Sequence, residues 1–109
     1  MGTTSILQSQ NPSCQTHDFL RVNESLYCSP VKLTLVDVGM GNSRYQIANA
    51  IVDIYMNGSL IFMNESLLQS TNPYWFNFSN GHNVEIYVYQ ATYAIYPVYR
   101  SANISVAYR

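Results

Sequence analysis

Two apolar, β-branched runs meet at Asn57-Gly58, and no other feature of the chain constrains its fold as tightly. Residues 48–56 read Ala-Asn-Ala-Ile-Val-Asp-Ile-Tyr-Met, and residues 59–63 read Ser-Leu-Ile-Phe-Met. Asn-Gly between such runs predicts a β-hairpin, because a tight two-residue turn needs positive φ at both positions, which Asn and Gly reach at least cost. That loop sets Met56 opposite Ser59, Ile54 opposite Ile61 and Val52 opposite Met63. The register predicts one face of Val52, Ile54, Met56, Ile61 and Met63, apolar enough to line a core. The other face, with Ile51, Asp53, Tyr55, Leu60 and Phe62, is mixed and needs partial cover. The hairpin is therefore expected to be a central element of a sheet.

The flanking sequence repeats the pattern. Residues 31–38 alternate, with Val31, Leu33, Leu35 and Asp37 on one side and Lys32, Thr34, Val36 and Val38 on the other; residues 39–43 read as a flexible turn. Residues 64–72 read as a loop. Tyr74, Phe76 and Phe78 alternate with Trp75 and Asn77, and a second Asn-Gly, at Asn80-Gly81, predicts a turn into residues 83–90. There Val84, Ile86 and Val88 are expected inward and Glu85, Tyr87 and Tyr89 outward. Residues 103–109 form a last strand with Ile104, Val106 and Tyr108 on one face. No segment shows a helical period. Short strands with turns every 8–12 residues predict an all-β, antiparallel sandwich of about seven strands. Its core spans residues 31–109, preceded by a polar N-terminal arm and stapled loop at residues 1–30, all within one domain.

Charge is scarce. Only 10% of the 109 residues are Asp, Glu, Lys or Arg, and the net charge is −1, so the chain carries no electrostatic footprint for nucleic acid. Asparagine and tyrosine supply the surface polarity instead. That suits an extracellular chain, above all in acid, where carboxylates lose their charge; drift in an AT-rich genome enriches the same residues. No apolar run is long enough for a membrane-spanning helix. The first ten residues lack the basic and apolar regions of a signal peptide, which fits a mature or truncated form as well as a cytosolic one. Cys14 and Cys28 would close a loop of about 15 residues in an oxidising compartment, contributing about 3 kcal/mol; the alternative is two separate thiols.

The most specific motif is the N-glycosylation sequon, at Asn23, Asn57, Asn64, Asn77 and Asn103. Composition alone predicts about two, so five is an excess, although the motif is short. A tyrosine ladder, Tyr87, Tyr89, Tyr93, Tyr96 and Tyr99, is the candidate binding surface, since exposed rings stack on sugars or anchor an interface; strands also favour tyrosine for packing alone. Cys14, His17, Cys28 and His82 match no closed zinc spacing, so no metal is expected, and no cofactor. Nucleophile-elbow, zinc-protease and phosphate-loop motifs are absent. Asp37-Val-Gly and Asp53-Ile-Tyr only faintly echo an aspartic protease loop. The expectation is a chain without catalytic activity.

Residues 50–61, followed by Tyr74-Trp-Phe-Asn-Phe-Ser-Asn-Gly-His-Asn-Val-Glu-Ile-Tyr-Val, resemble the core of immunoglobulin-like and transthyretin-like modules of cell-surface proteins. The resemblance implies an immunoglobulin-like sandwich, and fold far more than function. The low charge, the Tyr, Asn and Ser richness and the sequons also look like surface filament subunits and virion proteins of thermoacidophilic archaea, whose filaments often join subunits by strand donation. The functional expectation is an extracellular structural or adhesive subunit of a cell-surface filament or virion; the alternative is a carbohydrate-binding module using the tyrosine ladder. Edges are normally guarded by lysine or proline, and Lys32 is the single lysine. Self-association through open sheet edges is therefore expected, at residues 60–90 and 101–106, with the arm at residues 3–8 as donor and no membrane insertion.

Overall fold

The computed structural model describes residues 12–42, 44 and 47–109. The arm at residues 3–8 lies outside them. Eight strands are described: β1 (Cys14–Arg21), β2 (Ser25–Cys28), β3 (Val31–Asn42), β4 (Ile47–Met56), β5 (Ser59–Leu68), β6 (Tyr74–Asn77), β7 (Asn83–Thr92) and β8 (Ser101–Tyr108). They form two four-stranded antiparallel sheets, a front sheet of order β1-β8-β7-β6 and a back sheet of order β2-β3-β4-β5. The chain is thus the all-β antiparallel sandwich its alternation predicts, with eight strands where about seven were expected. The back sheet is a meander, and the front sheet is a second meander closed by β1. The likeness to immunoglobulin modules is one of two packed sheets, not of strand order.

Alternation builds the core. Val31, Leu33 and Leu35 of β3, Val52 and Ile54 of β4, Val84, Ile86 and Val88 of β7, and Ile104 and Val106 of β8 are essentially closed to solvent. Phe62, Phe76, Phe78 and Tyr108 continue the core as a chain of rings with neighbouring centroids 5.0–6.2 Å apart. The second hairpin forms as expected, with Phe76 opposite Val84 and the Phe78 N–H bonded to the His82 carbonyl at 2.8 Å.

Bulges correct the rest. Across Asn57-Gly58, Met56 does face Ser59 and Tyr55 faces Leu60, but Ile54 faces Phe62 and Val52 faces Glu65. Two extra residues enter β5, the second beside Asn64, whose φ of 53° turns the chain while Asp53 Oδ1 accepts its N–H at 2.8 Å. A one-residue insertion swaps faces in a strand. Ile61 and Met63 therefore point to solvent and Phe62 packs against the core, the reverse of the simple two-residue register. Beyond the bulges β5 runs on to Leu68 and buries Leu67, where a loop was expected. A bulge at Val36 of β3 likewise buries Val38 and turns Asp37 outward. Residues 39–42 remain strand because Gly39 and Gly41 leave room for the buried Asn49 side chain, which donates to Ser66 Oγ; a Cβ at Gly41 would meet Leu68 and Asn49.

The stretch expected to be a stapled loop holds two strands, β1 and β2, one at an edge of each sheet. An edge strand with one solvated face can be polar; Leu20 and Leu26 are its main gifts to the core. Cys14 and Cys28 are disulfide-bonded, their Cα atoms 5.6 Å apart, and the bond joins the front sheet to the back. The Ser29-Pro30 peptide that follows is cis. Residues 101–106, expected at an open edge, lie instead in the interior strand β8, paired on both sides. The true edges are β1, β6, β2 and β5. Two are only four residues long and β5 is bulged, which are devices that discourage strand addition.

At the Asn57-Gly58 tip, φ is 52° and 83°, and none of the described residues lies within 4 Å of a Cβ built on Gly58. Any cost of a side chain there is backbone strain alone. Gly58→Val is expected to destabilise the domain by about 2 kcal/mol, read as a fall of several degrees in the circular-dichroism melt; a melt within one degree of the parent would contradict the turn.

Candidate binding surface

The outward side chains of β8 are small: Ser101, Asn103, Ser105 and Ala107. Its neighbours carry rings. Pairing sets His17 of β1 and Tyr87 of β7 on either side of Ser105, and Phe19 of β1 and Gln90 of β7 on either side of Asn103. β7 carries a bulge at Tyr89. The extra residue leaves Tyr89 and Gln90 both outward and Ala91 inward, a re-aiming of side chains that bulges commonly perform.

The rings are fixed in place. Tyr89 stacks on His17, with centroids 4.9 Å apart and planes 24° apart, and on Tyr87, at 5.7 Å and 15°. Ser105 Oγ donates to the Tyr89 hydroxyl at 3.3 Å, and His17 Nε2 donates to Asn103 Oδ1 at 2.7 Å. A three-ring row thus crosses the front sheet from β1 over β8 to β7. It stays half-exposed: Tyr89 keeps 50% of its surface in solvent. At the edge of β7, beyond the end of the short β6, the connection at residues 69–73 takes over. The Ser70 N–H bonds to the Val88 carbonyl, and Gln69 Oε1 accepts the Ala91 N–H at 3.0 Å. Between this connection and the ring row lies an open cleft of about 420 Å³, lined by Gln69, Ser70, Thr71, Tyr87 and Tyr89.

The tyrosine ladder divides in two. Tyr87 and Tyr89 belong to the ring row; Tyr93, Tyr96 and Tyr99 belong to the β7–β8 loop, residues 93–100. Ile95, Tyr96, Val98 and Tyr99 are each at least two-thirds exposed. Arg100 holds this loop from beneath. Its Nε donates to the Ala94 carbonyl at 2.6 Å, Nη2 to the Ile95 carbonyl at 3.3 Å, and Nη1 to Asp37 Oδ1 at 2.8 Å, while the guanidinium sits 4.7 Å from the Tyr93 ring centre. The hydrogen bond from Arg100 holds the Asp37 carboxyl below its ordinary value, and the same bond raises the guanidinium further. Phe19, Arg21, Val98, Tyr99 and Ser101 line a shallow hollow where loop and sheet meet. His17, Phe19 and Gln90 were not among the residues expected at the site. His17 and Phe19 sit in a polar stretch, and Gln90 faces out only because of the bulge.

Asn23, Asn57, Asn64 and Asn77 are exposed; Asn103 is half-buried and bonded to His17. Asn23, Asn57 and Asn64 all have positive φ. That gives each a backbone reason to be asparagine apart from any sequon. A glycan on Asn103 would have to release His17. Cys14 and Cys28 are bonded to each other, and among the described residues no three His, Cys, Asp or Glu side chains are grouped to hold a metal ion. No helix of the described residues is long and apolar enough to cross a membrane. Compared with protein-family models, curated proteins and solved structures, the chain matches none.

Arg100→Ala removes the side-chain tethers to Ala94, Ile95, Tyr93 and Asp37. Chymotryptic cleavage after Tyr93 or Tyr99 is expected to quicken about tenfold or more as local opening becomes easier; an unchanged rate would contradict the clamp. Because the Asp37 value is depressed, the ion pair's contribution is fully present above the ordinary 3.8 and is lost only as pH falls below it, through the native value. Cleavage of the parent loop, corrected for protease activity, is therefore expected to be flat from about pH 5 to about pH 8.

Proposed function

We propose that this chain is a non-enzymatic, extracellular structural or adhesive subunit that acts by surface contact, as a building block of a cell-surface filament or virion. The observation that carries the reading is the β7–β8 loop. Ile95, Tyr96, Val98 and Tyr99 stand in solvent on a segment that Arg100 ties down at several points. A loop that loses entropy to stay fixed while presenting four large apolar side chains has the form of a contact element. Phe19 extends the same apolar surface onto the front sheet.

Other features support the setting. A disulfide between sheets suits an oxidising compartment. Exposed sequon asparagines leave room for glycans, and the low charge leaves the surface ready for close apposition. Self-association is proposed through the loop together with the edge of β1. That strand is eight residues long with no register shift against β8, whereas the other edges are short or bulged.

The test is sedimentation velocity on the full chain and on the double variant Ile95→Ser, Val98→Ser. Both residues are exposed, so the melt should move little. The parent is expected to associate at high concentration and the variant to remain monomeric. A parent that stays monodisperse and monomeric at its solubility limit, or a variant that associates equally well, would overturn the reading.

A further inference from the structure

We infer that the cleft between the 69–73 connection and the ring row of the front sheet is a binding site for a neutral saccharide. The inference is independent of the contact role of the β7–β8 loop, because none of Gln69, Ser70, Thr71, Tyr87 and Tyr89 belongs to it.

Three observations fix the chemistry of the ligand. The first is the wall: Tyr87 and Tyr89, nearly parallel and 5.7 Å apart, with Tyr89 braced by His17 and Ser105. Rings held this way present an apolar surface at little further entropy cost. The second is the facing side. Gln69, Ser70 and Thr71 bring an amide and two hydroxyls, groups that both donate and accept. Gln69 is positioned by the Ala91 N–H, and Ser70 Oγ accepts the Asn72 N–H at 3.0 Å. The third is charge: among the described residues no Asp, Glu, Lys or Arg lines the cleft. An anionic or cationic ligand would enter without a partner for its charge, which binding sites avoid. A pyranose matches all three, with an apolar ring face for the tyrosines and a rim of hydroxyls for the amide and hydroxyl side. The cleft, about 420 Å³ and open on one side, has room for such a ring and for a chain that continues into solvent.

The site exists because of two local departures from regular strand. The bulge at Tyr89 brings that ring beside Tyr87 and over β8. The end of β6 at four residues leaves the edge of β7 to the 69–73 connection, which bears the polar groups.

The experiment uses the full chain produced without glycosylation, so that no sugar of its own fills the cleft. It is applied to an array of neutral hexose and N-acetylhexosamine oligosaccharides, with sulfated and uronic acid oligosaccharides alongside, and the strongest binder is titrated by NMR. Neutral sugars are expected to bind in the micromolar to millimolar range usual for a small open site. Tyr87→Ala and Tyr89→Ala should each weaken binding about tenfold or more, as loss of a stacking ring does. Tyr99→Ala, outside the cleft, should bind like the parent, and Tyr89→Phe, which keeps the ring, should lose less than Tyr89→Ala. Glycan released from the glycosylated chain and added as competitor tells the source: displacement assigns the site to a glycan on a second copy, no displacement to a foreign one, and either supports the site. No neutral sugar binding at millimolar concentration, binding confined to the anionic sugars, or equal binding by Tyr87→Ala and Tyr89→Ala would overturn it. The assembly state, measured separately with the loop variant, leaves the two proposals to fail or stand apart.

Discussion

β8 is the strand on which both faces of the front sheet rest. Its inward side chains, Ala102, Ile104, Val106 and Tyr108, close the core against the back sheet. Its outward ones are small, and rings from β1 and β7 cover them. Ser105 and Ala107 are buried although they face away from the core. A larger residue at Ser105 would lift Tyr89 off the sheet and break the row that His17, Tyr89 and Tyr87 make. One strand therefore sets both the packing inside and the candidate binding surface outside.

That double burial explains why the strand was misplaced from sequence. An uncharged run such as residues 101–106 reads equally as an unguarded edge or as an interior strand, because both lack charge. Where one face was clearly apolar, the sequence was legible: Val84, Ile86 and Val88 point in, the two Asn-Gly turns form, and Cys14 meets Cys28. Illegible were the bulges, since an extra residue leaves no mark on composition. One moved Phe62 inward in place of Ile61 and Met63, one sent Asp37 outward to Arg100, and one brought Tyr89 over β8. The tyrosines of the candidate site could be named from sequence, but their division between a ring row and a loop could not, and neither could the parts of His17 and Phe19.

The same bulges tie fold to function. Asp37 reaches Arg100 only because β3 is bulged at Val36, so the back sheet anchors a loop that belongs to the front one. The pair is partly exposed and worth little by itself; its value lies in joining the carbonyls of Ala94 and Ile95 and the ring of Tyr93 at one guanidinium. Loop and ring row are thus two separately braced surfaces on one scaffold, one apolar and projecting, the other mixed and concave. On the proposed reading, one surface serves contact with the chain's own kind and the other a ligand.

Amide hydrogen exchange, read by NMR, shows whether β8 is the interior strand that supports the rest. In a sheet, an amide exchanges only when its strand opens, and interior strands open last. Amides in β8 and the paired half of β7 are expected to exchange slowest, at the rate of global unfolding. Amides of β1 and β6 should exchange faster by an order of magnitude or more. If β8 amides exchanged as fast as those of β1, the strand order proposed for the front sheet, and with it the ring row, would be contradicted.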